Sequence, residues 1–154
     1  MEGGKIRAWG VSNFDVDGME EVERIAGRGR MACNQVLYHL GERYIDHALV
    51  DWCAKRKIAV VAYSPFGSGH FPSPRSAGGR LLKEIAEAHG ATPHQIALAF
   101  LTRHRDVFAI PKAARITHVE QNAAAGALRL TRDEIARIEQ AFPMGEADRE
   151  LPVI

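Results

Sequence analysis

A chain of 154 residues that is 46% hydrophobic, with 20 basic and 19 acidic side chains leaving a formal charge of +1, has the composition of a folded globular protein and not of a disordered segment. So balanced a charge excludes the electrostatic footprint of a nucleic-acid binder and a polybasic membrane patch. No apolar run approaches the ~18 residues of a membrane span, and the charged start lacks the apolar region of a signal peptide, so the expectation is a cytoplasmic protein with no nucleic-acid and no membrane partner.

In chain order, the first apolar run covers residues 6–11 and opens into Ser12-Asn13-Phe14. Met19, Val22 and Ile25 then recur at helical spacing, which predicts a helix with those three on its buried face. Residues 31–38 make a second strand candidate. Ile45, Leu49, Trp52 and Cys53 predict the apolar face of the next helix, residues 58–63 a third strand and residues 107–110 a fourth. Each strand candidate is short and apolar without alternation, as in parallel sheets covered on both faces. Between the third strand and a helix carrying Leu81, Leu82 and Ile85 lies a Gly-, Ser- and Pro-rich stretch, residues 66–79, long for such a connection and therefore expected to lie over a site. Three helix starts match the capping box, at Thr92, Thr117 and Thr131, with Gln95, Glu120 and Glu134 three residues on. Pro93 strengthens the first, and Leu130 with Ile135 would staple the last. Strands alternating with helices predict a parallel sheet, in one unit over residues 1–154 with no internal linker.

Ligands of α/β folds gather where polar residues follow strand ends, and four strand ends here qualify: Ser12-Asn13, Asn34-Gln35, Tyr63-Ser64 and Pro111-Lys112. Lys112 and Arg115 precede a helix start, where free N–H groups and a partial positive charge favour an anion, above all a phosphate; the alternative is a pair of solvated loop cations. Taken singly, Ser12, Asn13 and Gln35 read as strand-end caps and Tyr63 as a core aromatic. No metal-ligand spacing, P-loop or nucleophile elbow occurs, and Cys33 and Cys53 read as reduced core thiols.

Together these four strand ends, in this order and spacing, make the chain resemble the second half of an aldo-keto reductase barrel, from its fifth strand to its last helix. The resemblance implies an α/β fold, the C-terminal half of a (β/α)₈ TIM barrel with four parallel strands alternating with helices, since a whole barrel takes about 250 residues. It implies an NADP(H)-dependent reductase of aldehydes and other carbonyls, with NAD possible as cofactor. By that likeness Ser12, Asn13 and Gln35 hold the nicotinamide carboxamide and Tyr63 stacks on its ring. Ser64, Phe66, Gly67 and Ser68 approach the pyrophosphate, with Arg80 a further charge beside it. Lys112, Ala113 and His118 stand where the family meets the adenosine ribose and its 2′-phosphate, with Ala113 in place of a frequent Ser and His118 in place of an Arg. Gln121 and Asn122 stand at the adenine. The family's catalytic Asp, Tyr, Lys and His belong to earlier strands, for which Met1-Glu2-Gly3-Gly4 leaves no counterpart. The expectation is therefore a chain with no catalytic residue of its own, inactive alone. The alternative reading is a non-catalytic half-barrel that binds nucleotide, a second copy or a complementary N-terminal half.

Overall fold

Four short strands pair in the order β1 (Gly10–Ser12), β2 (Cys33–Leu37), β3 (Ala59–Tyr63) and β4 (Val107–Ala109), all parallel, in the computed structural model, which describes residues 3–147 and 150–154. Val, Phe and Tyr in these runs suit a pleated surface packed against helices. The strands alternate with α1 (Val16–Ala26), α2 (Leu49–Arg56), α3 (Ala77–Ala88), α4 (Pro93–Leu101), α5 (Ile116–Ala124) and α6 (Arg132–Ala141), as a half-barrel requires. Short 3₁₀ turns at Tyr44–Asp46 and Ala125–Ala127 complete the order. Of the expected start, Met1 and Glu2 lie outside the described residues.

Several boundaries differ from the sequence reading, each for a physical reason. The first strand is Gly10–Ser12, shorter and later than residues 6–11, because pairing with β2 begins at Gly10 opposite Cys33. The fourth stops at Ala109, and Ile110 donates one more backbone bond to Ala62 O. Ile25 does not share the buried face with Met19, which is 0% exposed; Ile25 is 71% exposed and lies in the last turn of α1, which ends one residue later at Ala26 and is capped by Gly27 (φ 87°). Ile45 sits in the 3₁₀ turn, so the apolar face from Ile45 to Cys53 spans two elements. The long connection ends at Ser76, whose hydroxyl accepts from Gly79 N, so residues 77–79 are helical. Both α3 and α4 separate β3 from β4.

Burial alternates along β3, and along β2 as far as Val36, where an unalternating pattern was expected; Leu37 beyond it is buried as well. Asn34, Val36, Val60 and Ala62 are buried against the helices, whereas Cys33, Gln35, Ala59, Val61 and Tyr63 are only half-buried. The core therefore lies on one side of the sheet, where Met19, Trp52, Cys53, Leu82, Ile85, Ile96, Phe100 and Ile138 meet Val36, Tyr38 and Val60. The other side, with Phe108 and Ile110 about half exposed, is the face a closed barrel turns inward.

Candidate functional site

The carboxyl ends of β1, β2 and β3 stand side by side, which puts Ser12 opposite Gln35 and Leu37 opposite Tyr63. Opposed residues of paired strands point to the same face, so Ser12, Gln35 and Tyr63 share the open face. Ser12 Oγ donates to Gln35 O at 2.9 Å, which spends its proton and leaves its oxygen to accept. Asn13 N donates to the same carbonyl at 2.8 Å, and Asn13 takes a left-handed backbone (φ 60°) that turns the chain off the sheet. Asn tolerates that conformation better than most residues. The phenol oxygen of Tyr63 is buried and has no partner within the protein.

After β3 the chain turns tightly through Ser64 (φ 50°), Gly67 (φ 73°) and Ser68 (φ 51°). Gly67 N donates to Ser64 O at 2.8 Å and Ser68 Oγ to Ser64 Oγ at 3.0 Å, so three of the expected phosphate-loop residues are one local unit. A Cβ at Gly67 would stand 3.4 Å from His39 Nδ1 on a backbone that disfavours side chains. His39 Nδ1 itself accepts from Gly41 N at 3.2 Å. Phe66 meets the His94 ring edge-on at 4.9 Å, and Phe71 stacks on His94 with centroids 3.9 Å apart, which seats the loop on the first turn of α4. Burial, then the neighbouring charge of His118, lowers the His94 pKa, so His118 is brought beside this aromatic cluster.

Lys112 is exposed beyond β4 and Ala113 half-buried. The expected capping box at Thr117 is not formed. Helix α5 begins at Ile116 with Arg115 as its N-cap in extended backbone (φ −105°, ψ 138°), and no side chain caps it. Thr117 is already inside the first turn, where its backbone cannot take the extended N-cap conformation. Gln121 is exposed, while Asn122 is half-buried and lines a cavity of about 670 Å³ with Arg103, Arg105 and Phe108, on the flank of β4. Arg80, in the first turns of α3, donates back to Arg75 O across the helix start. The structure thus brings together Ser12, Asn13, Gln35 and Tyr63, and separately Ser64, Phe66, Gly67 and Ser68, with His118 near the latter group through His94.

Two features escaped the sequence reading. Asn34, a polar residue inside an apolar strand, is fully buried and donates to Phe14 O at 2.7 Å. Its position next to Gln35 was the only signal. The other is a buried polar network. Tyr38 Oη donates to Asp46 Oδ1 at 2.7 Å, and Arg43 and Arg103 both reach Asp46 Oδ2, at 2.8 and 3.0 Å. Both guanidinium groups also lie over the Phe100 ring, at 5.0 and 4.1 Å from its centroid. Burial pushes the Asp46 carboxyl up, but Arg103, Tyr38 and Arg43 outweigh it and hold the group below the usual carboxylate range. Burial pushes the Cys53 thiol up to about 12, and both cysteines are reduced. Among the described residues no cluster of His, Cys, Asp and Glu could hold a metal ion, and no helix is long and apolar enough to cross a membrane.

Residues 1–142 match the model of the aldo/keto reductase family. The chain is 40% identical over 151 residues to methylglyoxal reductase YeaE of Escherichia coli, covering 98% of this chain and 53% of that protein. It is 32% identical over 136 residues to glyoxal reductase of Bacillus subtilis, covering 88% of this chain and 46% of that protein. An aldo-keto reductase from Klebsiella pneumoniae, crystallised in complex with NADPH, superposes with a TM-score of 0.89 at 38% identity, over 99% of this chain and 54% of that one. The chain spans about half the length of these relatives. It belongs to the aldo/keto reductase family.

Proposed function

We propose that residues 1–154, as one partial barrel unit, supply the NADP(H)-binding side of an aldo-keto reductase acting on small reactive aldehydes of the 2-oxoaldehyde class. One observation carries the reading: Ser12, Gln35 and Tyr63 end three adjacent parallel strands on one face, with Asn13 turned off the sheet beside them. The likeness to a structure in complex with NADPH supports the cofactor, and the likeness to a methylglyoxal and a glyoxal reductase supports the substrate class.

The residues fit the cofactor by their chemistry. Ser12, Asn13 and Gln35 offer uncharged donors and acceptors that hold a carboxamide without repelling a cationic ring, and Tyr63 offers a flat face on a rigid strand. Ser64, Phe66, Gly67 and Ser68 bring a tight turn to the pyrophosphate. Lys112, Ala113, His118, Gln121 and Asn122 take the adenosine end, where Lys112 and the uncapped start of α5 favour the 2′-phosphate. When bound, the cofactor supplies the hydride; these residues bind it and orient its ring.

Titration of the chain with NADPH and NADH tests this. Lys112→Ala should weaken NADPH more than NADH, because a charged hydrogen bond to phosphate is worth about 1.5–3 kcal/mol. Equal weakening of both would place Lys112 away from the 2′-phosphate, and no weakening of either would return it to a solvated loop cation. A second reading, a half-barrel that binds nucleotide or a partner chain without chemistry of its own, is favoured by the open sheet face at Phe108 and Ile110. Reduction of methylglyoxal by the isolated chain, lost on mutating Tyr63, would exclude it.

A further inference from the structure

We propose that Asn34 is a positioning residue for the nicotinamide end of the site, holding the Ser12-Asn13-Phe14 corner in the conformation that meets the cofactor; this rests on the cofactor reading above. Asn34 stands opposite Val11 in the register of β1 and β2, on the face turned away from Ser12 and Gln35. It is 0% exposed, and its Nδ2 donates to Phe14 O at 2.7 Å. From the edge of the same strand that meets β1, the main-chain Gln35 O receives Ser12 Oγ and Asn13 N. The corner is therefore held by two consecutive residues of β2, once by a side chain on the helix-covered face and once by the main chain, with the left-handed Asn13 between the two bonds.

Phe14 has little room to shift, since a Cβ at Gly18 would already stand 2.9 Å from its ring. The carboxamide is oriented by its acceptor: Phe14 O requires the nitrogen, which leaves Asn34 Oδ1 buried with no partner in the protein. An orphaned buried acceptor costs free energy, and a polar group kept only for packing is normally satisfied at both ends. What Asn34 gains is a single bond to a loop carbonyl directly following two of the residues that would hold the nicotinamide. The other end of the cofactor, at Lys112 and α5, has no contact with this corner through Asn34.

That separation makes the test. Asn34→Asp keeps the shape and replaces the donor with an oxygen facing a carbonyl. The chain and its variant are titrated with NADP⁺ and with adenosine 2′,5′-bisphosphate, which carries only the far end of the cofactor, and both are melted thermally. The expected result is about tenfold weaker NADP⁺ binding, as the corner spends less time in its competent state, with the bisphosphate affinity held within about twofold. Should Asn34→Asp not fold, Asn34→Ser, which retains a shorter donor, is read against the same two ligands with the same selective loss expected. Parallel loss of both ligands, or loss of neither, overturns the proposal. A parent chain that binds neither ligand overturns the cofactor reading and this proposal with it, whereas a parent chain that binds both, without selective loss in the variant, overturns this proposal alone.

Discussion

Asp46 is what makes two arginines tolerable in the interior. Arg43 is 3% exposed and Arg103 half-buried, with its side chain 12% exposed, and Glu139, 3.6 Å from both, is half in solvent and a weaker partner. Removing one member of a buried ion pair costs about 3–5 kcal/mol because the remaining charge is left uncompensated. Asp46→Asn should therefore lower the melting temperature by about 6–20 °C in a chain of this size, as read by thermal denaturation. The sign of its pH dependence is set by the depressed carboxyl. A group whose folded pKa lies below its unfolded value stabilises the fold above the unfolded value and ceases to do so as pH falls through the folded one. The stability gap between the parent chain and Asp46→Asn should then be full at neutral pH and narrow below about pH 4; a gap independent of pH would detach it from the Asp46 charge.

Helix starts show how far local grammar reaches. At α4, Thr92 and Gln95 exchange bonds, Gln95 N to Thr92 Oγ1 at 3.3 Å and Thr92 N to Gln95 Oε1 at 2.9 Å. At α6, Thr131 and Glu134 do the same at 3.2 and 2.7 Å. Glu134 also meets His89 at 2.9 Å, which ties the first turn of α6 to the end of α3. Thr117, with an equally good sequence, caps nothing, because α5 has already begun. Thr92→Ala should cost about 1 kcal/mol, and Thr117→Ala should stay within about 0.5 kcal/mol of the parent. Urea unfolding of the two variants measures both, and an equal loss at the two sites would place the start of α5 at Thr117.

For the whole molecule, the sheet is decided by what covers it. Strands β1 and β4 are its edges, Ile6 beside the first is 52% exposed, and Phe108 and Ile110 at the second are 55% and 48% exposed. Unpaired backbone groups beside exposed apolar side chains template association. A two-fold pairing that joins β4 of one copy to β1 of the next would close eight parallel strands and bury both edges. The chain alone should thus sediment as a dimer or larger, and added cofactor should not disperse it. A single monomeric boundary with cooperative unfolding would mean the edges are protected within one chain.

The amino-acid sequence by itself determined the element types, the parallel order, two of three capping boxes and the residues at each strand end, because these follow from short-range periodicity, turn chemistry and motif spacing. Tertiary structure alone decided three things. It set the start of α5, since backbone conformation at Arg115 preceded the local cap at Thr117. It made β3, and β2 as far as Val36, alternate in burial, since apolar runs state what a strand can bury but not what lies against it. And it gave Asn34, Asp46 and Arg103 their partners, at separations of 20 and 57 residues in the chain, where hydrogen-bond geometry depends on how elements pack and leaves no trace in local sequence.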